Sequence, residues 1–157
     1  MALLGNILWV LFGGWLLFLV YTLAAVVFFP FFLPIFRMAR YALWPYGRGI
    51  VTQNQLKKYR EITGIKSDDS TGTAALRNVS GLLNIIWMLL FGWLLALCHL
   101  LAALVNAIFF WLIVTIPNIG ANFKLIRVAF MPFNKVIVPK KVAEEIEEEI
   151  IKKKLNI

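Results

Sequence analysis

Hydrophobic positions fill two long stretches of the chain that carry no formal charge. Residues 1–36 contain no Asp, Glu, Lys or Arg, and residues 78–123 contain none either. A helix needs about 20 apolar residues to cross the hydrocarbon core of a bilayer. The core of a soluble protein does not hold uncharged runs of this length. The pattern therefore predicts an integral membrane protein of the all-α class.

The lengths of these stretches set the expected topology. The second stretch has room for two spans, with a turn between His99 and Asn106, whereas the first has room for one span and a half-length return arm. We expect two helical hairpins that enter from the cytoplasm and return to it, and three spans with an external N-terminus is the alternative. The first stretch lacks a basic n-region and is too long for a signal peptide, so we expect it in the mature protein.

The chain repeats its own pattern. Asn6 and Trp9 are echoed by Asn84 and Trp87 at an offset of 78 residues, and Gly-Trp and Leu-Ala-Ala follow in both places. After nine residues that the first copy lacks, the offset becomes 87, and ALWPYGRGIV (42–51) aligns with AFMPFNKVIV (129–138). Such conserved order at fixed offsets indicates an internal duplication.

These motifs resemble the YccF family of bacterial inner-membrane proteins, over residues 4–51 and 82–138. The family unit has Leu-x-Asn-Ile-x-Trp, Gly-Trp, an Ile-Pro turn, Phe-Lys, and Ala-Leu-Trp-Pro-aromatic-Gly-Arg. The first copy departs from it with a shortened second arm and Leu33-Pro34, and the second with Met131 and Asn134. The resemblance implies two tandem membrane repeats in the inner membrane, and the family has no assigned activity.

Each copy ends its membrane segment with a basic amphipathic helix. In the first copy, Pro34 to Trp44 should form this helix, with Arg37 and Arg40 on one face at the lipid headgroups. Gly47 then permits a positive φ that turns the chain towards water, and Asn134 can do the same. The interpretation is an interfacial anchor, and the alternative is a specific lipid or anion site. Candidate headgroup contacts are Arg37, Arg40, Arg48, Lys124, Arg127 and Lys135.

Two segments outside the repeats are polar. Residues 52–81 read as a cytoplasmic linker, in which Thr52 and Gln55 form a capping-box pattern that starts a short helix. KSDDSTGT (66–73) reads as a polar loop. Residues 139–157 predict an amphipathic cytoplasmic helix with an apolar seam and i,i+4 pairs of Glu with Lys. The seam residues are Val142, Ile146 and Ile150, and the pairs are Glu148 with Lys152 and Glu149 with Lys153.

The charge balance agrees with this topology. Lys and Arg number 16 against 8 acids, for a net charge of +8, and the bases flank the apolar stretches. Basic loops stay in the cytoplasm by the positive-inside rule, so both basic blocks and the C-terminus should be cytoplasmic in a multi-pass plasma-membrane protein. The expected partners are the bilayer, its anionic headgroups and further copies of the chain in a homo-oligomer, with no nucleic acid.

Candidate chemistry is sparse. Cys98 and His99 are adjacent in a predicted helix and point about 100° apart, which makes a poor nucleophile–base pair. One Cys and one His give no internal disulfide and no His-rich metal site. All carboxylates lie in the central loop or the tail, and Asp68-Asp69 reads as a solvated loop. We therefore expect no enzyme, no catalytic residues, no metal and no cofactor.

Two functions remain as hypotheses. The first is a homo-oligomeric passive channel with a basic cytoplasmic mouth, and the alternative is a non-transporting membrane scaffold or lipid-interaction protein. Embedded polar side chains serve either as pore lining or as interhelical hydrogen-bond partners. These candidates are Asn6, Thr22, Asn84, His99 and Asn106.

Overall fold

The computed structural model describes residues 2–65 and 71–155, without the side chains of residues 71–77 and 114. Most of the described residues are helical. It forms two compact units. The helical unit comprises residues 1–46 and 84–133, and the ribbon unit comprises residues 47–83 and 134–157.

The two copies have the same order of elements. The first gives α1 (Ala2–Trp9), α2 (Trp15–Val27), α3 (Phe32–Leu43), strand β1 (Arg48–Thr52) and α4 (Gln53–Thr63). The second gives α5 (Thr71–Trp87), α6 (Trp93–Ile108), α7 (Ile116–Phe130), strand β2 (Lys135–Pro139) and α8 (Lys140–Leu155). A wide π-type turn joins α1 to α2 at Val10–Gly14 and α5 to α6 at Met88–Gly92.

Two helices of the described chain are long and apolar enough to cross a bilayer. They are Ala2–Val27 and Asn78–Ile108, with 26 and 31 residues. The return arms α3 and α7 have 12 and 15 residues, which at 1.5 Å per residue is shorter than the hydrocarbon thickness of about 30 Å. The half-length arm expected in the first copy is therefore present. The full second span expected in the second copy is wrong, and a third spanning helix is not found in the described residues.

The predicted turn between His99 and Asn106 is also wrong. Helix α6 continues through Ile108, and the chain reverses between Phe109 and Thr115. The helix continues because residues 99–106 contain no Gly or Pro, while His99 and Asn106 lie on its buried face. At the true turn, the hydroxyl of Thr115 is within hydrogen-bond distance of the carbonyls of Phe109 and Leu112, 2.9 Å from each.

The ribbon unit contains an element that the all-α prediction missed. Strands β1 and β2 pair antiparallel, with Ile50 opposite Ile137 at the centre. These two residues occupy the same place in the two copies, so the ribbon has a local two-fold symmetry. Gly47 and Asn134 precede the strands with φ values of 80° and 65°, which confirms the positive φ expected at both positions.

Helices α4 and α8 pack with the ribbon. Val51, Ile146 and Ile150 form a buried cluster, so the seam of α8 packs within its own chain, while Val142 is 37% exposed. The predicted capping box at Thr52 and Gln55 is present and begins α4.

One predicted ion pair of α8 is present and the other has a different partner. Lys152 lies 2.9 Å from Glu148, as expected, and 3.1 Å from Glu149, the carboxylate that was assigned to Lys153. Residues 66–70 of the predicted polar loop, which include Asp68 and Asp69, lie outside the described residues. For residues 71–73 the loop prediction is wrong, because α5 begins at Thr71.

Candidate functional site

An asparagine closes each hairpin of the helical unit. The side-chain amide of Asn6 donates to the carbonyl of Tyr46 at 3.0 Å, and its oxygen accepts from the backbone N–H of Tyr46 at 2.9 Å. Asn84 makes the same two bonds with Phe133, at 3.3 and 3.1 Å. The end of each return arm is therefore tied to the start of its spanning segment.

A tryptophan caps each return arm. The indole N–H of Trp9 donates to the carbonyl of Ala42 at 2.7 Å, and that of Trp87 donates to Ala129 at 2.8 Å. These carbonyls lie in the last turn of α3 and of α7, where the helix supplies no backbone partner. Both indoles are buried. An apolar environment makes an unpaired carbonyl costly, so the two tryptophans stabilise the ends of the arms.

Tyr21 and His99 meet in the buried interior of the helical unit. The hydroxyl of Tyr21 lies 3.1 Å from Nε2 of His99, and Nδ1 of His99 lies 3.0 Å from Oδ1 of Asn122. The amide nitrogen of Asn122 donates to the carbonyl of Asn118, so its oxygen is left to accept from Nδ1–H. In this neutral tautomer, Nε2 accepts from the hydroxyl of Tyr21.

Asn118 extends this network towards the end of the first hairpin. Its oxygen accepts from the hydroxyl of Tyr46 at 2.8 Å, and its nitrogen donates to Asn106 at 3.2 Å. Asn106 in turn donates to the carbonyl of Ala102 in its own helix. A continuous polar network thus runs through one chain. Its members are Asn6, Tyr46, Asn118, Asn106, Asn122, His99 and Tyr21.

In the part of the chain that the structure describes, the equivalent half of the helical unit has no such network. At the repeat offsets, Asn106, Asn118 and Asn122 correspond to Phe28, Phe31 and Ile35. Rings replace two of the three amides there: Phe28 stacks on Phe31 with centroids 5.2 Å apart, and Phe31 meets Phe133 edge-on at 5.5 Å. Phe133 itself corresponds to Tyr46. One half of a duplicated structure is therefore joined by hydrogen bonds and the other by aromatic packing.

The sequence found part of this network. Asn6, His99 and Asn106 belong to it, Asn84 makes only the second hairpin closure, and Thr22 donates to the carbonyl of Phe18 in its own helix. Asn6, Asn84 and His99 hydrogen-bond to other segments of the chain, and the choice between pore lining and interhelical partner stays a prediction. Four members were not predicted from the sequence: Tyr21, Tyr46, Asn118 and Asn122. The signals that could have found them are the offset that places Tyr21 over His99 and the i,i+4 spacing of Asn118 and Asn122.

The candidate headgroup contacts divide between the two units. Arg37 and Arg40 are exposed on α3, and Lys124 and Arg127 are exposed at the equivalent positions of α7. Their roles stay predictions.

The other two basic candidates lie in the ribbon unit. Arg48 begins β1 and Lys135 begins β2, at opposite ends of the ribbon. Burial lowers the pKa of Lys135.

The helical unit is chemically simple. By sequence, residues 1–46 and 84–133 contain four charged side chains, all basic, and no acid. Among the described residues there is no group of three or more His, Cys, Asp and Glu side chains that could hold a metal ion. The arrangement is a neutral, internally hydrogen-bonded core with basic groups on its outside.

Comparison with known proteins shows which family has this arrangement. A family model described as the inner membrane component domain YccF matches residues 4–48 and 82–135, more than half of the chain. The chain belongs to the YccF family. The two matched segments coincide with the two copies that carry the hairpin closures and the capping tryptophans, and the resemblance noted from the motifs is confirmed.

Two curated YccF proteins are similar over most of their length. The inner membrane protein YccF of Escherichia coli (strain K12) is 27% identical over 136 residues, which is 86% of this chain and 82% of the relative. The protein of the same name from Shigella flexneri gives the same figures. No solved structure matches the chain. Membership of YccF, together with the two long apolar helices, makes this an inner-membrane component, and the family is named for its location and not for a reaction.

Proposed function

We propose that this protein is a non-transporting, lipid-interacting component of the inner membrane. In this proposal, anionic phospholipid headgroups bind the exposed basic side chains of α3 and α7, on the cytoplasmic side. The observation that carries it is the charge of the helical unit. Its only charged residues are Arg37, Arg40, Lys124 and Arg127.

These four cations have no acid within their own unit. All four are exposed, and they form two equivalent pairs at the 87-residue offset. Phosphate groups of lipids are the abundant anions at a membrane surface, and each Lys or Arg near an anionic surface gains about 1 kcal/mol. The positive-inside rule supports the cytoplasmic side for these residues.

Headgroup binding is tested by thermal unfolding in detergent micelles. Phosphatidylglycerol or phosphatidylcholine is added to the purified protein, and the two melting temperatures are compared. We expect phosphatidylglycerol to give the larger stabilisation, and added salt to reduce the difference because exposed charges are screened. The variant with Arg37→Gln, Arg40→Gln, Lys124→Gln and Arg127→Gln should lose the difference.

A matched variant removes the same amount of charge from elsewhere. Lys140, Lys141, Lys153 and Lys154 of α8 are exposed, and changing all four to Gln should leave the preference for phosphatidylglycerol intact. Equal loss in both variants would show a general charge effect and would refute the assignment to α3 and α7.

The passive channel is the competing hypothesis. It needs a polar lumen, and the side chains assigned to that lining hydrogen-bond within one chain. The same preparations, reconstituted in vesicles, should show no solute or ion flux above empty vesicles. Flux that depends on the protein, together with a ring of subunits in nanodiscs, would replace the lipid-interaction proposal with the channel.

A further inference from the structure

An apolar groove of about 400 Å³ lies between α2 and α6 in the helical unit. Leu16 and Val20 line it from α2, Cys98, Ala102 and Val105 line it from α6, and Gly13 lies at the bend that precedes α2. The volume falls in the range of small-molecule sites, about 300–1,000 Å³. Leu16 and Val105 are each about half exposed, at 50% and 51%, so the groove opens on the outside of the unit.

Gly13 leaves this groove open at a position where the equivalent residue of the second copy has a large side chain. The equivalent residue of the second copy is Phe91, whose ring packs against Trp87 and Phe28 with centroids 5.3 and 6.1 Å away. Phe28 directly follows the last residue of α2. In the first copy, Gly13 has no side chain to reach the corresponding end of α6, near Val105. The same position is thus filled by the protein's own ring in one half and left open in the other.

The occupant must be apolar and present within the bilayer. Cys98 is the only lining residue with more than hydrocarbon in its side chain, so water would lack the two to four polar partners that it needs. Both walls belong to the two helices that are long and apolar enough to span a membrane, so in a bilayer the open side of the groove would face lipid chains. An acyl chain that enters the groove gains close dispersion contacts on several sides.

We propose that this groove binds one acyl chain of a membrane phospholipid. The inference deepens the proposed lipid interaction by adding a site for the tail. The site recognises shape and apolar surface, so it should accept neutral and anionic phospholipids alike. Dispersion contacts, and not charge, hold the acyl chain in the groove. Exclusion of the acyl chain from water adds nothing, because it is already in the bilayer.

The test is photo-crosslinking in nanodiscs with a neutral phosphatidylcholine that carries a diazirine in its acyl chain. Mass spectrometry then locates the adducts. We expect adducts concentrated on the lining residues of α2 and α6. Ala102→Phe places a ring in the groove and should abolish these adducts, whereas Leu104→Phe, on an exposed face of the same helix, should retain them. Adducts spread evenly over the exposed residues of both helices would refute the site.

A gain of binding gives a second, independent result. Phe91→Ala removes the ring that fills the equivalent space, so a second set of adducts should appear around Leu94 and Leu23, the counterparts of Leu16 and Leu101. Gly13→Phe is the reverse change, but the φ of 116° at Gly13 makes any side chain strained there, and Ala102→Phe avoids that problem. Adducts unchanged by Phe91→Ala would contradict the account of why the groove is open.

A second copy of the chain is the competing occupant. In that case, Cys98 of two copies would lie close together, and oxidation in the membrane would give a disulfide-linked dimer while lipid adducts in the groove would be absent. That outcome overturns the acyl-chain site. Because the probe lipid is neutral, loss of headgroup selectivity in the quadruple Gln variant would leave the groove adducts intact, and failure of one proposal is distinguishable from failure of the other.

Discussion

Tyr21 and His99 occupy the same position in the two copies of a duplicated sequence, and they hydrogen-bond to each other. Their side chains meet at 3.1 Å, both fully buried. A contact between equivalent residues arises where a two-fold axis passes between them. In the helical unit this axis is marked by the Tyr21–His99 pair, although the duplicated residues have since become chemically different.

Loss of this pair should destabilise the protein measurably. His99→Leu leaves the hydroxyl of Tyr21 and the amide oxygen of Asn122 without their partner, and we expect a cost of about 1–2 kcal/mol, the upper range for hydrogen bonds within membranes. Tyr21→Phe should cost less, because it leaves only one acceptor unpaired. A double-mutant cycle on unfolding in micelles should give a coupling energy above zero, and strict additivity would contradict the bond.

Tyr46 and Asn118 offer a test of the difference between the two halves. Asn118→Phe introduces the residue type of the other half, but it leaves the Tyr46 hydroxyl and the side-chain oxygen of Asn106 without their partner, so we expect a cost of about 1–3 kcal/mol. Adding Tyr46→Phe recreates the ring pair of Phe31 and Phe133. The double variant should therefore be more stable than Asn118→Phe alone. A further loss of stability on adding Tyr46→Phe would show that the halves are not interchangeable.

The two capping tryptophans, Trp9 and Trp87, should contribute about equally to the free energy of unfolding. Trp9→Phe and Trp87→Phe each remove one indole N–H from a carbonyl near the end of a return arm, and we expect similar losses of about 1–3 kcal/mol. Trp15→Phe is the control, since Trp15 is 47% exposed and is not one of the capping indoles. Thermal unfolding of the three variants decides the matter. A loss for Trp15→Phe as large as the other two would indicate a general effect of removing an indole.

Gly49 is required where β1 passes α8 in the ribbon unit. A Cβ at this position would collide with the Cβ of Ala143, so Gly49→Ala must displace the helix or the strand. Overpacking of this kind costs about 1–3 kcal/mol. Hydrogen exchange of the β1 and β2 amides should become faster in this variant. Gly81→Ala, which meets no atom within 4 Å in α5, should leave those amides protected.

The sequence predicted the parts of this protein that depend on local pattern. The two long apolar helices, the capping box at Thr52 and the positive φ at Gly47 and Asn134 were predicted correctly, because each follows from local residue type. The ribbon was missed because β1 and β2 pair across more than 80 residues, and each is a five-residue strand that reads equally well as an exit loop. The turn of the second copy was predicted between His99 and Asn106 from the length of the apolar stretch. Helix α6 continues past this point because no residue between 99 and 106 ends a helix.

The polar network shows a different limit of sequence reasoning. Embedded asparagines were recognised as polar groups that need partners, but their partners could be neighbours in the chain or other subunits. Composition cannot decide between these, since the answer depends on which faces of α6 and α7 meet. The alignment of the two copies already marks this asymmetry, because it places Asn106 over Phe28, Asn118 over Phe31 and Asn122 over Ile35.

The ribbon has a consequence for the order in which the molecule is made. Its first strand leaves the ribosome long before its second, which follows the last membrane arm, so β1 waits with an unpaired edge while the remaining helices are inserted. A polypeptide that is truncated after α7 would carry that bare edge permanently. Such an edge is a template for aggregation, and it is covered only when synthesis of β2 is complete.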